Sequence, residues 1–553
     1  MKNSYIKYLF IVCLIFFGNI SCEEDYLELE PLDSPSDASF LRTEAEVNLA
    51  VTGIYNPLYY RPIGNIPFTL YLDNITDIAW DRSEFNTRNY DSQTSLFSST
   101  WDNYYEAIGR CNFFLENINR AESEVKSDFI ERSIGEVKFL RAYYYHLLSE
   151  LYGDVPLVTT PQGLGEESLV ARTSKEQVTD FIIEELLQAK TLLPMEYGSS
   201  ETGRATSGAA LSLLSRVALH NERWQDCIDA SKEVMDSGAY TLFPDYEMLF
   251  KGVGEQSDEV IFDIQFQTEV LRYAIRPFFS RNAGGFMNRL PLQTLVDRYE
   301  CVDGLRIDES SLYDSSNPFV NRDPRLDQTI ARPGSIFLGY QFETHPDSVR
   351  TTNFNTDPPS RINNLDVTSP FSSFSGYAWR KYVDDKDLQD RVTDINIILI
   401  RYAEVLLNFA EAKIESNQID QSVYDAINEI RDRASVGMPP ITSGKSADEL
   451  RTLIRRERVV ELAGEGFRLF DIRRWRLAEE VLKPVTYGII LEGGYELQGI
   501  PSFNENETPD YSAYSDIYRV SVNSPFNANR DYLWAIPQKD IDVNPNLNQN
   551  PGY

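Results

Sequence analysis

Long stretches of helical periodicity, arriving in pairs, set the strongest constraint on this chain. In residues 131–152 the apolar positions Ile134, Val137, Leu140, Tyr144, Leu147 and Leu151 recur at steps of three and four, which is one face of an α-helix. Gly153 and Pro156 then stop it. Residues 101–120, WDNYYEAIGRCNFFLENINR, supply a preceding helix, so the two form an antiparallel hairpin. A second pair lies in ATSGAALSLLSRVALHNERWQDCIDASKEVMDSG, where a helix ending near His220 turns through Asn221, Glu222 and Arg223 and restarts at Trp224. From Ala205 to Gly238 this unit is 34 residues long, the period of tetratricopeptide repeats. A third pair spans about 396–434, and a further amphipathic helix runs through 174–193. Helix pairs that cannot bury their apolar faces alone must stack on neighbours. The spacing therefore predicts a mainly α, tetratricopeptide-like scaffold over about 40–250 and 390–480. Between 250 and 390, and again over 480–553, the sequence is rich in Gly, Pro, Asn and aromatics and has no sustained helical period. These are large irregular insertions on the scaffold, and loops are where binding residues concentrate.

The first 22 residues, MKNSYIKYLFIVCLIFFGNISC, read as an export signal. Lys2 and Lys7 precede an apolar run from Tyr8 to Phe17, which is about half the ~20 residues a membrane-spanning helix needs. Small or polar residues lead to Cys22, and nothing after it could act as a stop-transfer anchor. Residues 1–21 are thus expected to be a signal peptide and Cys22 a lipidated first residue, similar to that of bacterial lipoproteins. The alternative is a plain secretory peptide cut nearby. Glu23, Glu24 and Asp25 resemble the acidic tag of some Gram-negative lipoproteins destined for the outer face of the outer membrane.

Charge and cysteine usage narrow the function. The formal net charge is −33, and losing residues 1–21 removes two lysines and no acid, giving −35. So acidic a protein repels phosphate backbones and anionic headgroups, which excludes nucleic acid and leaves the lipid anchor as the membrane contact. With 42% hydrophobic residues the chain fills a large core without staples. Past Cys22 there remain Cys111, Cys227 and Cys301, an odd number without close spacing, so neither a disulfide framework nor a zinc site is suggested. His146, His220 and His345 are far apart in sequence and read as surface or core residues rather than ligands. No cofactor and no metal is called for.

Several stretches in order carry a resemblance: KFLRAYYYHLLSELYGDVPLV, LIRYAEVLLNFAEAK, IRRERVVELAGEGFRLFDIRRW and the terminal WAIPQKDIDVNPNLNQNPGY. They resemble the SusD/RagB family of outer-membrane nutrient-binding lipoproteins, from the lipoprotein start to the last residue. The resemblance implies a SusD-like body over residues 22–553, with a tetratricopeptide-like fold and an irregular ligand-binding face. It also implies a hinged lid on a SusC-like TonB-dependent transporter that receives glycans or other oligomers, at the cell surface and without enzymatic activity. A helical-repeat interaction scaffold, or a peptide-binding lid on such a transporter, is the alternative.

Three sets of residues carry the chemistry. Arg401, Glu404, Asn408 and Glu411 share one helical face. Glu404 and Glu411 could be mistaken for a glycosidase pair, but they would stand ~10.5 Å apart on one rigid helix, whereas such pairs flank a substrate across a cleft. Pairing with arginines of a neighbouring helix is the better reading. Arg455, Arg456, Arg458, Arg468, Arg473, Arg474 and Arg476 are interleaved with Glu457, Glu461, Glu465 and Asp471, which points to an internal ion-pair lattice. Gly464 and Gly466 predict a bend or a tight contact there. Sugar recognition needs aromatic faces beside groups that hydrogen-bond hydroxyls. Two loops offer them: Asp77, Trp80, Arg82, Phe85, Asn86 and Tyr90 in one, and Tyr273, Arg276, Phe278, Arg281, Asn282 and Phe286 in the other. The corresponding N-terminal and central loops line the binding face in the family. Trp101 and Trp224, both on helices, are expected in the core.

Overall fold

The computed structural model describes residues 40–82, 88–163, 165, 168–490, 499–514 and 516–553. Capping chemistry and apolar periodicity place its helices. Thr43 starts α1 (Glu44–Tyr55) with a reciprocal pair: its hydroxyl accepts from Glu46 N at 3.3 Å, and the Glu46 carboxylate accepts from Thr43 N at 3.0 Å. Two orphan donors of the first turn are satisfied that way. α2 (Ser95–Asn117) and α3 (Ser127–Tyr152) form the expected hairpin, and Gly153, at φ +78°, ends α3. α4 (Lys175–Leu192), α5 (Ser207–His220) and α6 (Trp224–Ser237) follow, the first two capped by Ser174 and Thr206. After the long insertion come α7 (Tyr402–Glu415), α8 (Gln421–Arg431), α9 (Ala447–Leu462) and α10 (Arg468–Arg474).

The helices pack in chain order: α2 on α3, α3 on α4, α4 on α5, α5 on α6, and α6 on α7, which also carries α8 and α9. This is the stacking of a helical-repeat solenoid, and the fold is mainly α as the periodicity requires. Every one of the 14 residues of α5 is buried, so it runs through the interior of the stack. A continuous cluster of buried apolar side chains reaches from Leu41 to Leu547. The irregular C-terminal stretch joins that cluster through Trp534, whose ring stacks on Phe97 at 4.8 Å. Trp534 N donates to Leu151 O at 2.7 Å and Asn550 Nδ2 to Tyr152 O at 2.8 Å, which fastens the stretch to the end of α3.

Four strands position the rest: β1 (Ala79–Asp81), β2 (Val260–Ile264), β3 (Arg289–Pro291) and β4 (Ile397–Arg401). β2 pairs antiparallel with β4, Ile397 opposite Ile264 and Arg401 opposite Val260, so the central insertion leaves and rejoins the stack through one ladder. This corrects the third helical pair, whose start at about 396 is a strand. The run Ile397–Ile400 is β-branched at three of its four positions and wholly buried, which favours a pleated strand over a helix.

A charged lattice ties α7, α9 and α10 together. Glu404 accepts from Arg216 Nε and Nη2, each at 2.6 Å, and Glu411 accepts from Arg474 at 2.6 and 2.7 Å. Both carboxylates are thus held by arginines of neighbouring helices. Burial pushes the Glu411 carboxyl up, but the Arg474 and Arg458 guanidinium groups outweigh it and hold the group below the usual carboxylate range. Arg458 and Arg474 share Asp471, Arg468 pairs with Asp77, and Arg456 reaches Glu300 and Glu507. Arg455 makes a looser pair with Glu415 at 3.7 Å. Arg473 and Arg476 stand apart from the lattice and line a surface cleft. The bend between α9 and α10 is built on Gly464 and Gly466, at φ +81° and +85°. A Cβ at Gly466 would lie 2.5 Å from Thr69 O, so glycine is required there. The bend wraps the buried Asp73 carboxylate, which accepts from Gly464 N, Gly466 N and Arg468 N at 2.8, 3.1 and 3.1 Å.

Candidate functional site

The two loops singled out from sequence meet through β1 and β3. Ala79 lies opposite Pro291, Trp80 opposite Leu290 and Asp81 opposite Arg289, and Arg82 N donates to Asn288 O at 3.0 Å. A third segment, residues 364–375, closes over both. Asn282 Nδ2 donates to Asn364 Oδ1 at 2.9 Å and to Asp366 Oδ2 at 2.6 Å, and Asn282 Oδ1 accepts from Leu365 N at 2.8 Å. Arg281 N also donates to Asp366, at 2.5 Å. Burial raises the Asp366 carboxyl to about 7, against the hydrogen bonds from Arg281 and Asn282 that pull it down. Arg82 Nη2 donates to Ser372 O at 3.1 Å, a second tie to the third segment.

The product is a surface of phenylalanines and arginines. The Arg82 guanidinium lies 4.3 Å from the Phe374 ring centre and 5.8 Å from Phe371, and Arg281 lies 5.9 Å from Phe371. Arg276 stacks over Phe286 at 4.4 Å. Phe286, Phe371 and Phe374 are 43%, 57% and 45% exposed, high for large apolar rings. Trp80 packs its ring 4.9 Å from Phe374, mostly buried at the margin. Burial, and then the neighbouring Arg281 charge, lowers the pKa of Arg82. No carboxylate lies within ion-pair distance of Arg82, Arg276 or Arg281 among the described residues, although most buried arginines of the lattice are paired. The loop folds tightly at Gly285, where a Cβ would lie 2.1 Å from Phe279 O.

Not every residue singled out from sequence reaches this surface. Arg82, Arg276, Arg281 and Phe286 form it, Trp80 borders it and Asn282 fastens it. Asp77 is buried in ion pairs with Arg468, at 2.8 Å, and Arg298, at 3.4 Å. Burial pushes its carboxyl up, but Arg468 outweighs that and leaves it below the usual range. Tyr273 is buried against Phe266 at 4.8 Å, and Phe278 is buried in the core. Tyr90 packs on Phe97 and under Arg530. Phe85, Asn86 and the lipidation candidate Cys22 lie outside the described residues. Phe371 and Phe374 were missed: SPFSSFSG has no helical or strand period, and two aromatics in a Ser/Gly-rich loop were the available signal. Trp101 is core as expected. Trp224 is not: it is half-buried at the start of α6 and lines a cleft of about 670 Å³ with Trp475, Tyr532, Arg455 and Arg476.

Stacked helix pairs bearing an irregular, aromatic-rich face make up a tetratricopeptide-like scaffold with large loop insertions. The chain belongs to the SusD family: the profile described as SusD family matches residues 258–553, and one described as starch-binding associating with outer membrane matches residues 25–219. Among solved structures, a SusD-like carbohydrate binding protein from Bacteroides fragilis is 30% identical, with a TM-score of 0.80 over 92% of this chain and 100% of that one. Two SusD-like proteins of Formosa agariphila are 26% identical over 99% of both chains, and 25% identical over 87% of this chain and 92% of the relative.

Proposed function

We propose that this chain is a cell-surface lipoprotein that captures glycan on the Phe286–Phe371–Phe374 face and delivers it to a SusC-like TonB-dependent outer-membrane transporter. The observation that carries the reading is three exposed phenylalanine rings held by arginines that no described carboxylate pairs. Aromatic rings offer flat apolar faces to the CH-rich side of a sugar ring, and guanidinium groups donate in the ring plane to hydroxyls or acidic substituents. The carbohydrate-binding relative from Bacteroides fragilis and the starch-binding family profile support glycan as the ligand class. The profile's association with the outer membrane supports the location, with lipid on Cys22 as the anchor. No helix among the described residues is long and apolar enough to cross a membrane.

Calorimetric titration against neutral and acidic oligosaccharides, with Phe371→Ala and Phe374→Ala, tests the site. Truncating a stacking hot spot costs about 1–3 kcal/mol, so affinity should fall by roughly five-fold to a hundred-fold. The melting temperature should stay near that of the unmodified protein, because both rings are about half exposed. Unchanged affinity in the double variant refutes the site. The delivery role is tested by purification in mild detergent with a candidate barrel co-expressed. A lasting lid buries more than ~2,000 Å² in total, so the barrel should co-purify, and recovery of the protein alone counts against that role.

A further inference from the structure

His146 and His220 are distant in sequence, yet their rings lie 5.4 Å apart, centre to centre. α3 sets His146 and Glu150 four residues apart on one face, and α5 ends on His220. One ligand atom from each of His146, Glu150 and His220 lies within 4.8 Å of the others, and all three residues are buried. His220 Nδ1 is 3.7 Å from Glu150 Oε2, too long for a hydrogen bond. Neither ring nitrogen of His220, nor Nδ1 of His146, has a hydrogen-bond partner among the described residues. Buried polar atoms are rarely left so, because their desolvation is then uncompensated. Three of them at one point indicate a missing shared partner.

We propose that His146, Glu150 and His220 bind a divalent transition-metal cation of the zinc class, tying α3 to α5. Two imidazoles and one carboxylate are a donor set that Zn²⁺ accepts with a fourth position left for water, and imidazole selects such ions over Ca²⁺ or Mg²⁺. Bonds of about 2.0–2.1 Å place tetrahedral ligand atoms ~3.4 Å apart, so side-chain adjustments on the order of 1 Å close the set. Glu150 and His220 line the 670 Å³ cleft, which supplies an entry path and the open coordination position. The charged groups that act on the two rings are Lys175, Arg216, Arg458 and Arg474. Those arginines carry their own carboxylates, Glu404 for Arg216, Asp471 for Arg458 and Glu411 for Arg474, which blunts their repulsion of a cation. Lys175 is the competitor. Its Nζ lies 2.8 Å from Glu150 Oε1 and its side chain is one-third exposed, so it can swing into solvent when the cation takes the carboxylate.

The test is titration of the full-length chain, purified in mild detergent without a polyhistidine tag and stripped by chelator, with Zn(II) and Co(II). One equivalent should bind, Co(II) should show the d–d absorption of a four-coordinate site, and Zn(II) should raise the melting temperature. Loss of an outer-shell partner typically costs 10–100-fold in affinity, so removing a ligand with Glu150→Gln or His220→Gln should cost at least about 100-fold. Lys175→Gln frees the carboxylate and should tighten binding, a change that a purely structural histidine pair would not produce. Absence of stoichiometric binding by the unmodified chain overturns the proposal. So does affinity that Glu150→Gln and Lys175→Gln both leave unchanged.

Discussion

Glu461→Gln strikes the charged lattice at its centre. Glu461 Oε1 accepts from Arg401 Nη1 at 2.8 Å and Arg433 Nη2 at 2.9 Å, while Oε2 accepts from Arg325 Nη1 at 2.9 Å. All four side chains are buried. Burial pushes the Glu461 carboxyl up, but Arg433, Arg401 and Arg325 outweigh it and hold the group far below the usual range. Glutamine keeps the volume and removes the charge, and its NH₂ turns a donor toward guanidinium donors. Removing one partner from a buried ion pair costs about 3–5 kcal/mol. At roughly 2.1 cal/mol/K of unfolding entropy per residue, about 500 residues unfolding together give ~1.1 kcal/mol/K, so the melting temperature should drop by ~3–5 °C. Scanning calorimetry at pH 7 reads this directly. The control is Glu106→Gln, in an i,i+4 pair with Arg110 whose side chains are 67% and 42% exposed. Such a pair contributes about 0.3–0.5 kcal/mol, so the control should shift the midpoint by less than about 0.5 °C. The sign of the pH dependence follows from the lowered folded pKa. Stability from Glu461 is complete above the unfolded value of about 4.3 and is lost only as pH falls through the folded one, so the variant and the unmodified chain should converge on acidification below that value. A Glu461→Gln midpoint within about 1 °C of the unmodified protein at pH 7 would refute the reasoning.

Asp263 has the opposite linkage: burial raises its carboxyl to about 7, against hydrogen bonds from Asn396 and Gln265. Its contribution is complete below the unfolded value of about 3.9 and is lost as pH rises toward 7, so Asp263→Asn should flatten the fall in melting temperature between about pH 4 and 7, and equal slopes would count against this. Cys22→Ala should move the protein from the membrane to the soluble fraction, and retention with fatty-acid labelling would sink the anchor.

Helical period was legible because α3 and α5 bury their faces against immediate neighbours, so the packing is written within a few turns of sequence. The interleaved Arg and Glu of 454–476 were also legible as a lattice, since both signs at helical spacing must pair if buried. Their partners were not. The arginines on Glu461 come from positions 325, 401 and 433, and Asp77 read as a loop ligand because its partner Arg468 lies 391 residues away. The same distance problem hid the histidine pair, each member of which looks alone on an apolar face. It also hid Phe371 and Phe374, whose loop gains meaning only when Asn364 and Asp366 fasten it to Asn282, some eighty residues earlier in the same insertion. Local pattern resolves contacts made within a helix or a hairpin, and the candidate surface is made of none of these. It arises where β1 meets β3 and residues 364–375 close over them. Asn282 joins the central loop to that third segment through both its Nδ2 and its Oδ1, so the phenylalanine face depends on a junction that the helical stack does not share.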